Sequence, residues 1–199
     1  VKVRATKHHD LSDRIVLDNE RCILCSRCVR FTREISKTDS LGIQNRGDHS
    51  LVRASEDGAF ERDAYSDNVV DICPVGALLS KSFLYKSRVW YLKPTPSVCN
   101  GCARGCSVDL WHRKPEWRFK ALDAAKNRTI ERVTPRANAL VNGPWVCNYA
   151  RDLPRYFERP RATEAMVKGA TVPAAEALAA AGRLIAASRH GVALVSSNA

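Results

Sequence analysis

Apolar residues come in short runs along this 199-residue chain. Ile15-Val16-Leu17 is the one strand-like run among residues 1–21, which are otherwise polar and mixed in charge. Cys28, Phe31 and Ile35 recur at helical spacing and share one predicted helix face. Residues 41–54 read as two short strands around the turn signal Asn45-Arg46-Gly47-Asp48. Residues 55–68 are acidic and turn-rich. Pro74 suits a first helical position, where its missing N–H would have no partner, so a helix is expected over 75–86. Pro94-Thr95-Pro96 reads as a linker. Beyond it, residues 107–111, 117–122 and 129–133 read as strands of a small antiparallel sheet. The aromatic and basic stretch 83–91 reads as a helix end packing its rings rather than a stacking surface for single-stranded nucleic acid.

The tail has a different texture. Residues 162–199 hold 13 Ala and no Cys. A helix is expected over 173–188, with Leu178, Ala181, Leu184 and Ile185 on one side and Gly191 beyond its end. Val192-Ala193-Leu194-Val195 then reads as a buried strand. One helix and one strand cannot cover their own apolar faces, so the chain is expected to stop inside a larger α/β domain. It starts Val1-Lys2-Val3, without an initiator Met, as a trimmed product would.

Composition narrows the classes. No run approaches the ~20 apolar residues of a membrane span, and 45% hydrophobic residues argue against disorder. The formal charge is +11. Eight cysteines change the meaning of that charge. Two [4Fe–4S] cores on eight thiolates would bring roughly −4, which weakens nucleic acid as the explanation of the basic excess. Close cysteine spacing and no visible signal peptide favour a reducing, cytosolic compartment over a disulfide scaffold.

The cysteines form two quartets. The first is Cys22-x2-Cys25-x2-Cys28, followed after 44 intervening residues by Cys73-Pro74. Three thiolates at two-residue gaps can wrap one side of a cubane, and a distant Cys-Pro closes it, as in ferredoxin-type sites. Zinc more often takes separated pairs. The second is Cys99-x2-Cys102-x3-Cys106, then 40 intervening residues and Cys147; its spacing fits iron–sulfur or structural zinc, and a cubane in the same chain favours iron–sulfur. Gly101 and Gly105 would let backbone amides approach sulfur. Neither quartet leaves an open ligand position, so electron transfer rather than substrate binding is expected, with no catalytic residue. Arg27, Arg30 and Lys81 lie near ligands in sequence. A cation beside a cluster favours its reduced form, though each also suits an exposed helix position. His8-His9 has no Cys or acidic partner at ligand spacing, and Asp48-His49-Ser50 cannot form a triad from adjacent residues.

Asn19-Glu20-Arg21-Cys22-Ile23-Leu24-Cys25-Ser26-Arg27-Cys28-Val29-Arg30-Phe31, with Asp71-Ile72-Cys73-Pro74-Val75-Gly76-Ala77-Leu78, resembles the large iron–sulfur subunit of NADH:quinone oxidoreductases. Cys99, Cys102, Cys106 and Cys147 resemble the [4Fe–4S] domain that opens molybdopterin oxidoreductases. Residues 192–199 look like the first strand and turn of the domain that follows it. The family normally begins with a [2Fe–2S] domain and a one-His, three-Cys cluster; no cysteine precedes Cys22, and His8 and His9 do not match that pattern.

The resemblance implies an α+β architecture. A ferredoxin-like [4Fe–4S] domain (1–93) precedes a small molybdopterin-oxidoreductase-type [4Fe–4S] domain (94–158) and the start of an α/β domain (159–199). It implies two [4Fe–4S] clusters carrying electrons from an NADH–flavin module towards quinone. Its partners are a flavin- and NADH-binding subunit and further iron–sulfur subunits, with no nucleic acid. The membrane is reached only through those partners, at the cytoplasmic face of the inner membrane. Related segments occur in NAD-dependent formate dehydrogenases and NAD-reducing hydrogenases. A zinc-stabilised basic binding module is the alternative of another class.

Overall fold

The structure is a computed structural model that describes residues 6–56, 58–117, 130–157, 159 and 163–191. It divides into two compact units, Val1–Pro154 and Arg155–Ala199. The first unit carries all eight cysteines.

That unit opens with β1 (His8–Asp10) and β2 (Ile15–Asp18), paired antiparallel. All four residues of β2 are buried, as expected of a continuous apolar run with both sides covered. A helical turn α1 (Arg27–Arg30) widens into a π-helical turn over Phe31–Ile35, closed by the Ser36 N–H donating to the Phe31 carbonyl. The wider turn takes Ile35 off the 3.6-residue stripe. Cys28 and Phe31 are buried while Ile35 is exposed. β3 (Leu41–Gln44) and β4 (Leu51–Ala54) form the expected hairpin, in register from Leu41↔Ala54 to Gln44↔Leu51.

Two short helices follow, α2 (Ala59–Arg62) and α3 (Asn68–Ile72). α3 stops at Ile72 because the residue before a proline is pushed out of the helical region; Cys73 is extended at φ −72°, ψ 113°. The helix expected over 75–86 does not form. Gly76 sits at φ +60°, a left-handed conformation that breaks a helical course. Residues Leu78–Ser80 instead form β5, which pairs antiparallel with β2 from Leu17↔Leu78 to Ile15↔Ser80. The sheet order is thus β1-β2-β5. Around it lies a core that includes Ile15, Leu17, Phe31, Leu41, Phe60 and Val69.

The second sheet has the order β6-β7-β8, from Leu92–Val98, Ser107–Arg113 and Arg132–Pro135. Pro94-Thr95-Pro96 is not a linker but part of β6, facing Trp111 and Asp109 across the ladder. β6 is an edge strand, and an edge tolerates proline because one side of it needs no donors. β8 begins three residues later than the strand expected over 129–133. Of the strand expected over 117–122, Trp117 ends a 3₁₀ turn and the remainder lies outside the described residues. Residues 83–91 form turns rather than a helix end, and Tyr85 is almost wholly exposed. α4 (Asn148–Arg151) and α5 (Leu153–Phe157) follow Cys147. Val108, Val133, Val146, Ala150 and Leu153 pack a second, smaller core.

In the unit Arg155–Ala199, β9 (Met166–Val167) and β10 (Ala170–Thr171) make a minimal hairpin. It is followed by α6 (Ala174–Ala187), close to the helix expected over 173–188. The expected strand at 192–195 lies outside the described residues.

Candidate metal centres

The first quartet begins where β2 ends. Asp18 is 1% exposed. Its carboxylate accepts the Glu20 N–H at 3.0 Å and pairs with Arg21 Nε at 3.3 Å, so the chain is anchored just before Cys22. Leu24 and Ser26 then adopt left-handed backbone (φ 54° and 57°), an uncommon choice for non-glycine residues. These reversals curl residues 22–28 into a tight loop. Cys28 ends up buried on α1, while Cys25 is exposed. Cys73 arrives from the end of α3, and its Sγ accepts the Ala77 N–H at 3.2 Å.

Cys22, Cys25, Cys28 and Cys73 all line one pocket, whose wall also includes Leu17, Val52, Ala77 and Leu78. Burial pushes the Cys28 thiol up to about 11, and the nearby Cys22 and Cys25 add to the shift. A thiolate there is favoured by nearby positive charge, which bound iron would supply. The donor set is all sulfur and its surroundings are apolar, which fits an iron–sulfur cluster. One zinc ion would draw four sulfurs to about 3.8 Å of each other, given Zn–S near 2.3 Å. Among the described residues no three His, Cys, Asp or Glu side chains are grouped to hold a single ion.

The second quartet sits at one end of the β6-β7 pair. Cys99 and Cys106 are buried, and the Cys99 N–H donates to the Cys106 carbonyl at 2.8 Å, closing the ligand loop. Burial pushes both thiols up, and Cys147 and Cys102 act on both in the same direction. Arg104 pulls the other way on Cys106; its guanidinium is held by two hydrogen bonds to the Val141 carbonyl, at 2.8 and 3.0 Å. The Gly101 N–H lies 3.4 Å from Cys99 Sγ. A Cβ on Gly101 would fall 2.5 Å from the Tyr149 ring, so any side chain there would have to push that ring aside.

The spacing of the cysteines carries no sign of the polar interlock between the two quartets. Asn68, fully buried, donates to the Val146 carbonyl at 2.8 Å and accepts the Val146 N–H at 3.4 Å. Asn148 donates to the Asp63 carbonyl and Ser66 Oγ and accepts the Asp67 N–H. Arg14 bridges Asp67 and Asp152, each at 2.6 Å. Trp145 meets Phe31 edge-on at 4.9 Å between centroids. The residues on either side of Cys147 are therefore fastened to the helices that lead to Cys73. A polar residue in the apolar run Asn68-Val69-Val70, and one directly after Cys147, were the only available signals.

Residues 12–79 match the family model described as NADH-quinone oxidoreductase subunit 3, ferredoxin-like domain. Those residues belong to that family. The matched segment contains the first quartet and ends before the second. Over 145 residues the chain is 34% identical to NADH-quinone oxidoreductase subunit 3 of Thermus thermophilus, covering 73% of this chain and 17% of that protein. Over 190 residues it is 33% identical to an NADH-quinone oxidoreductase subunit of Streptomyces coelicolor, covering 92% of this chain and 21% of the other. It is 35% identical over 150 residues to the mitochondrial NADH dehydrogenase [ubiquinone] iron-sulfur protein 1 of Solanum tuberosum, covering 75% and 18%. An alignment covering 92% of the chain leaves about 16 residues out, so the Streptomyces relative is aligned across both quartets. The chain spans about a fifth of the length of the relatives it matches. Among the described residues no helix is long and apolar enough to cross a membrane.

Proposed function

We propose that this chain carries electrons through two [4Fe–4S] clusters in the peripheral arm of an NADH:quinone oxidoreductase, from an NADH–flavin module towards quinone. The observation that carries the reading is the pocket. Cys22, Cys25, Cys28 and Cys73 come from two distant stretches of the matched ferredoxin-like segment and face one apolar cavity. Cys99, Cys102, Cys106 and Cys147 are assigned the second cluster, in a domain of the molybdopterin-oxidoreductase type over 94–158. The first domain is assigned 1–93, and 159–199 the start of an α/β domain.

Each cluster, when bound, accepts and releases one electron at a time without opening a ligand position. The protein's part is to hold, insulate and tune. Four thiolates fix each cluster, and the Ala77 and Gly101 amides point at ligand sulfurs; such bonds stabilise negative charge on sulfur. Leu17, Val52 and Leu78 keep water from the inner side of the first pocket. No residue of the chain is assigned a catalytic role. The partners are a flavin- and NADH-binding subunit and further iron–sulfur subunits. The membrane is approached only through partner subunits, on the cytoplasmic face of the inner membrane.

Iron and acid-labile sulfide quantitation of the intact protein, with low-temperature EPR after reduction, tests this. About four iron and four sulfide per quartet are expected. Zinc without sulfide would replace the reading with a zinc-stabilised binding module.

A further inference from the structure

Three basic residues stand near the first quartet in sequence, and the structure separates them. Arg30 Nε pairs with Glu34 at 3.2 Å, one turn along the helix. Lys81 is not among the pocket's lining residues; it pairs with Asp10 at 2.9 Å and donates to the Ser12 carbonyl at 2.8 Å. Arg27 opens α1 directly before the ligand Cys28 and has no carboxylate partner among the described residues. It is exposed to solvent and lines the four-cysteine pocket. Among the described lining residues Arg27 is the only one with a charged side chain; the others are thiols, aliphatic residues and Ser26.

Water screens part of the field of this exposed cation, but because Arg27 lines the cavity a cluster there lies within the ~8 Å Debye length of physiological salt, so the charge still reaches it. Arginine keeps that charge at any working pH. We propose that Arg27 is the positioning residue that sets how readily the first cluster accepts an electron, a role that rests on reading Cys22, Cys25, Cys28 and Cys73 as its ligands. An added electron makes the cluster more negative, and the Arg27 guanidinium stabilises that state over the oxidised one. Arg30 and Lys81, neutralised by Glu34 and Asp10, contribute far less. The effect is electrostatic and breaks no bond; the electron comes from an external reductant.

The test is an EPR-monitored redox titration of the full chain, mediated and reduced with dithionite, on the parent protein and three variants. At an ambient potential near the parent midpoint, Arg27→Gln should lower the reduced-to-oxidised ratio about tenfold, equivalent to about 59 mV for a one-electron couple. Arg30→Gln should change it less than about threefold, and Arg27→Lys, which keeps the charge, likewise. The four-iron spectrum and the iron content of each variant show that the cluster itself is intact. An Arg27→Gln cluster that reduces as readily as the parent overturns the proposal. If Arg27→Gln does not load, a tenfold fall in Arg27→Lys overturns it, because charge rather than shape is claimed. A parent protein without any four-iron signal would instead sink the ligand assignment beneath it.

Discussion

The two quartets have the same ligand chemistry and different foundations. Among the described residues, the first is set into a core of twelve buried residues, Cys28 among them, that spans β2, α1, the β3-β4 hairpin, α3 and β5. The second rests on seven described residues, of which two are its own cysteines. The difference is made up by polar bonds to the first region, since Asn68 holds Val146 and Asn148 holds Asp63, Ser66 and Asp67. Trp145, two residues before Cys147, packs against the first core rather than its own. A well-buried site can stand on apolar packing, whereas a small one borrows rigidity through hydrogen bonds that apolar surroundings make expensive to break. The first quartet is thus the foundation and the second the dependent.

The largest way to break that asymmetry is to remove one ligand from each side. Cys25 and Cys102 are both exposed, so replacing either by Ala leaves no cavity, and any loss of order reports lost metal rather than lost packing. Cys25→Ala should abolish the first four-iron signal and accelerate amide exchange over 19–80. Because the clamp then loses its footing, exchange should also rise at 145–152. Cys102→Ala should abolish the second signal and leave exchange at 15–80 close to that of the parent. Hydrogen exchange followed by mass spectrometry on both holo variants reads this out. Equal spread of disorder from either side would mean the two sites support each other equally.

A milder cut goes through the interlock alone. Arg14 holds Asp67, whose side chain is 6% exposed, and Asp152, at 18%. Burial opposes the Arg14 charge, but the hydrogen bonds that its guanidinium donates to the two carboxylates more than offset it, so the Arg14 pKa lies above its ordinary value. Removing the cation leaves two part-buried carboxylates facing each other. Arg14→Ala should cost about 2–3 kcal/mol by denaturant unfolding, somewhat below the range for a fully buried pair. Asn148→Ala strands the Asp67 N–H and the Asp63 carbonyl, for about 1–3 kcal/mol. Being joined through the same segment, the two substitutions should fall short of additive. Full additivity would show two independent struts rather than one clamp.

How far the sequence revealed these features follows the same divide. Periodicity located β2, the β3-β4 hairpin, the helix after Cys28 and α6, because each pattern is local and each apolar face meets a core or stands alone. The ligand quartets were read from spacing, and the matched family model covers the first of them. Two expectations failed at prolines and glycine. Pro74 opens no helix because Gly76 turns left-handed and Leu78 is drawn into pairing with Leu17. Pro94 and Pro96 stay in a strand because β6 is an edge. Both outcomes depend on partners more than a dozen residues away. The Arg14, Asn68 and Asn148 bonds were invisible for the same reason, as each joins residues 53 to 138 positions apart. Arg27 could be picked out only once the carboxylates of Arg30 and Lys81 were located.

The smallest expected effect sharpens the comparison at a single hydrogen atom. Gly101 lies between Cys99 and Cys102, and an added Cβ would sit 2.5 Å from the Tyr149 ring and 3.4 Å from Cys99 Sγ. The ring is 44% exposed, so it can swing outward, and the overpacking should cost about 1 kcal/mol, at the low end for such insertions. The chemical effect is more telling than the energetic one. A displaced loop weakens the Gly101 N–H contact with Cys99 Sγ, and losing a donor to sulfur shifts a cluster to lower potential. Gly101→Ala should therefore make the second cluster harder to reduce while the first titrates as in the parent. Adding Tyr149→Ala relieves the clash and should restore much of the second cluster's titration. A shift confined to the first cluster, or no relief from the double substitution, would show that Gly101 does not act through the Tyr149 ring and Cys99 sulfur.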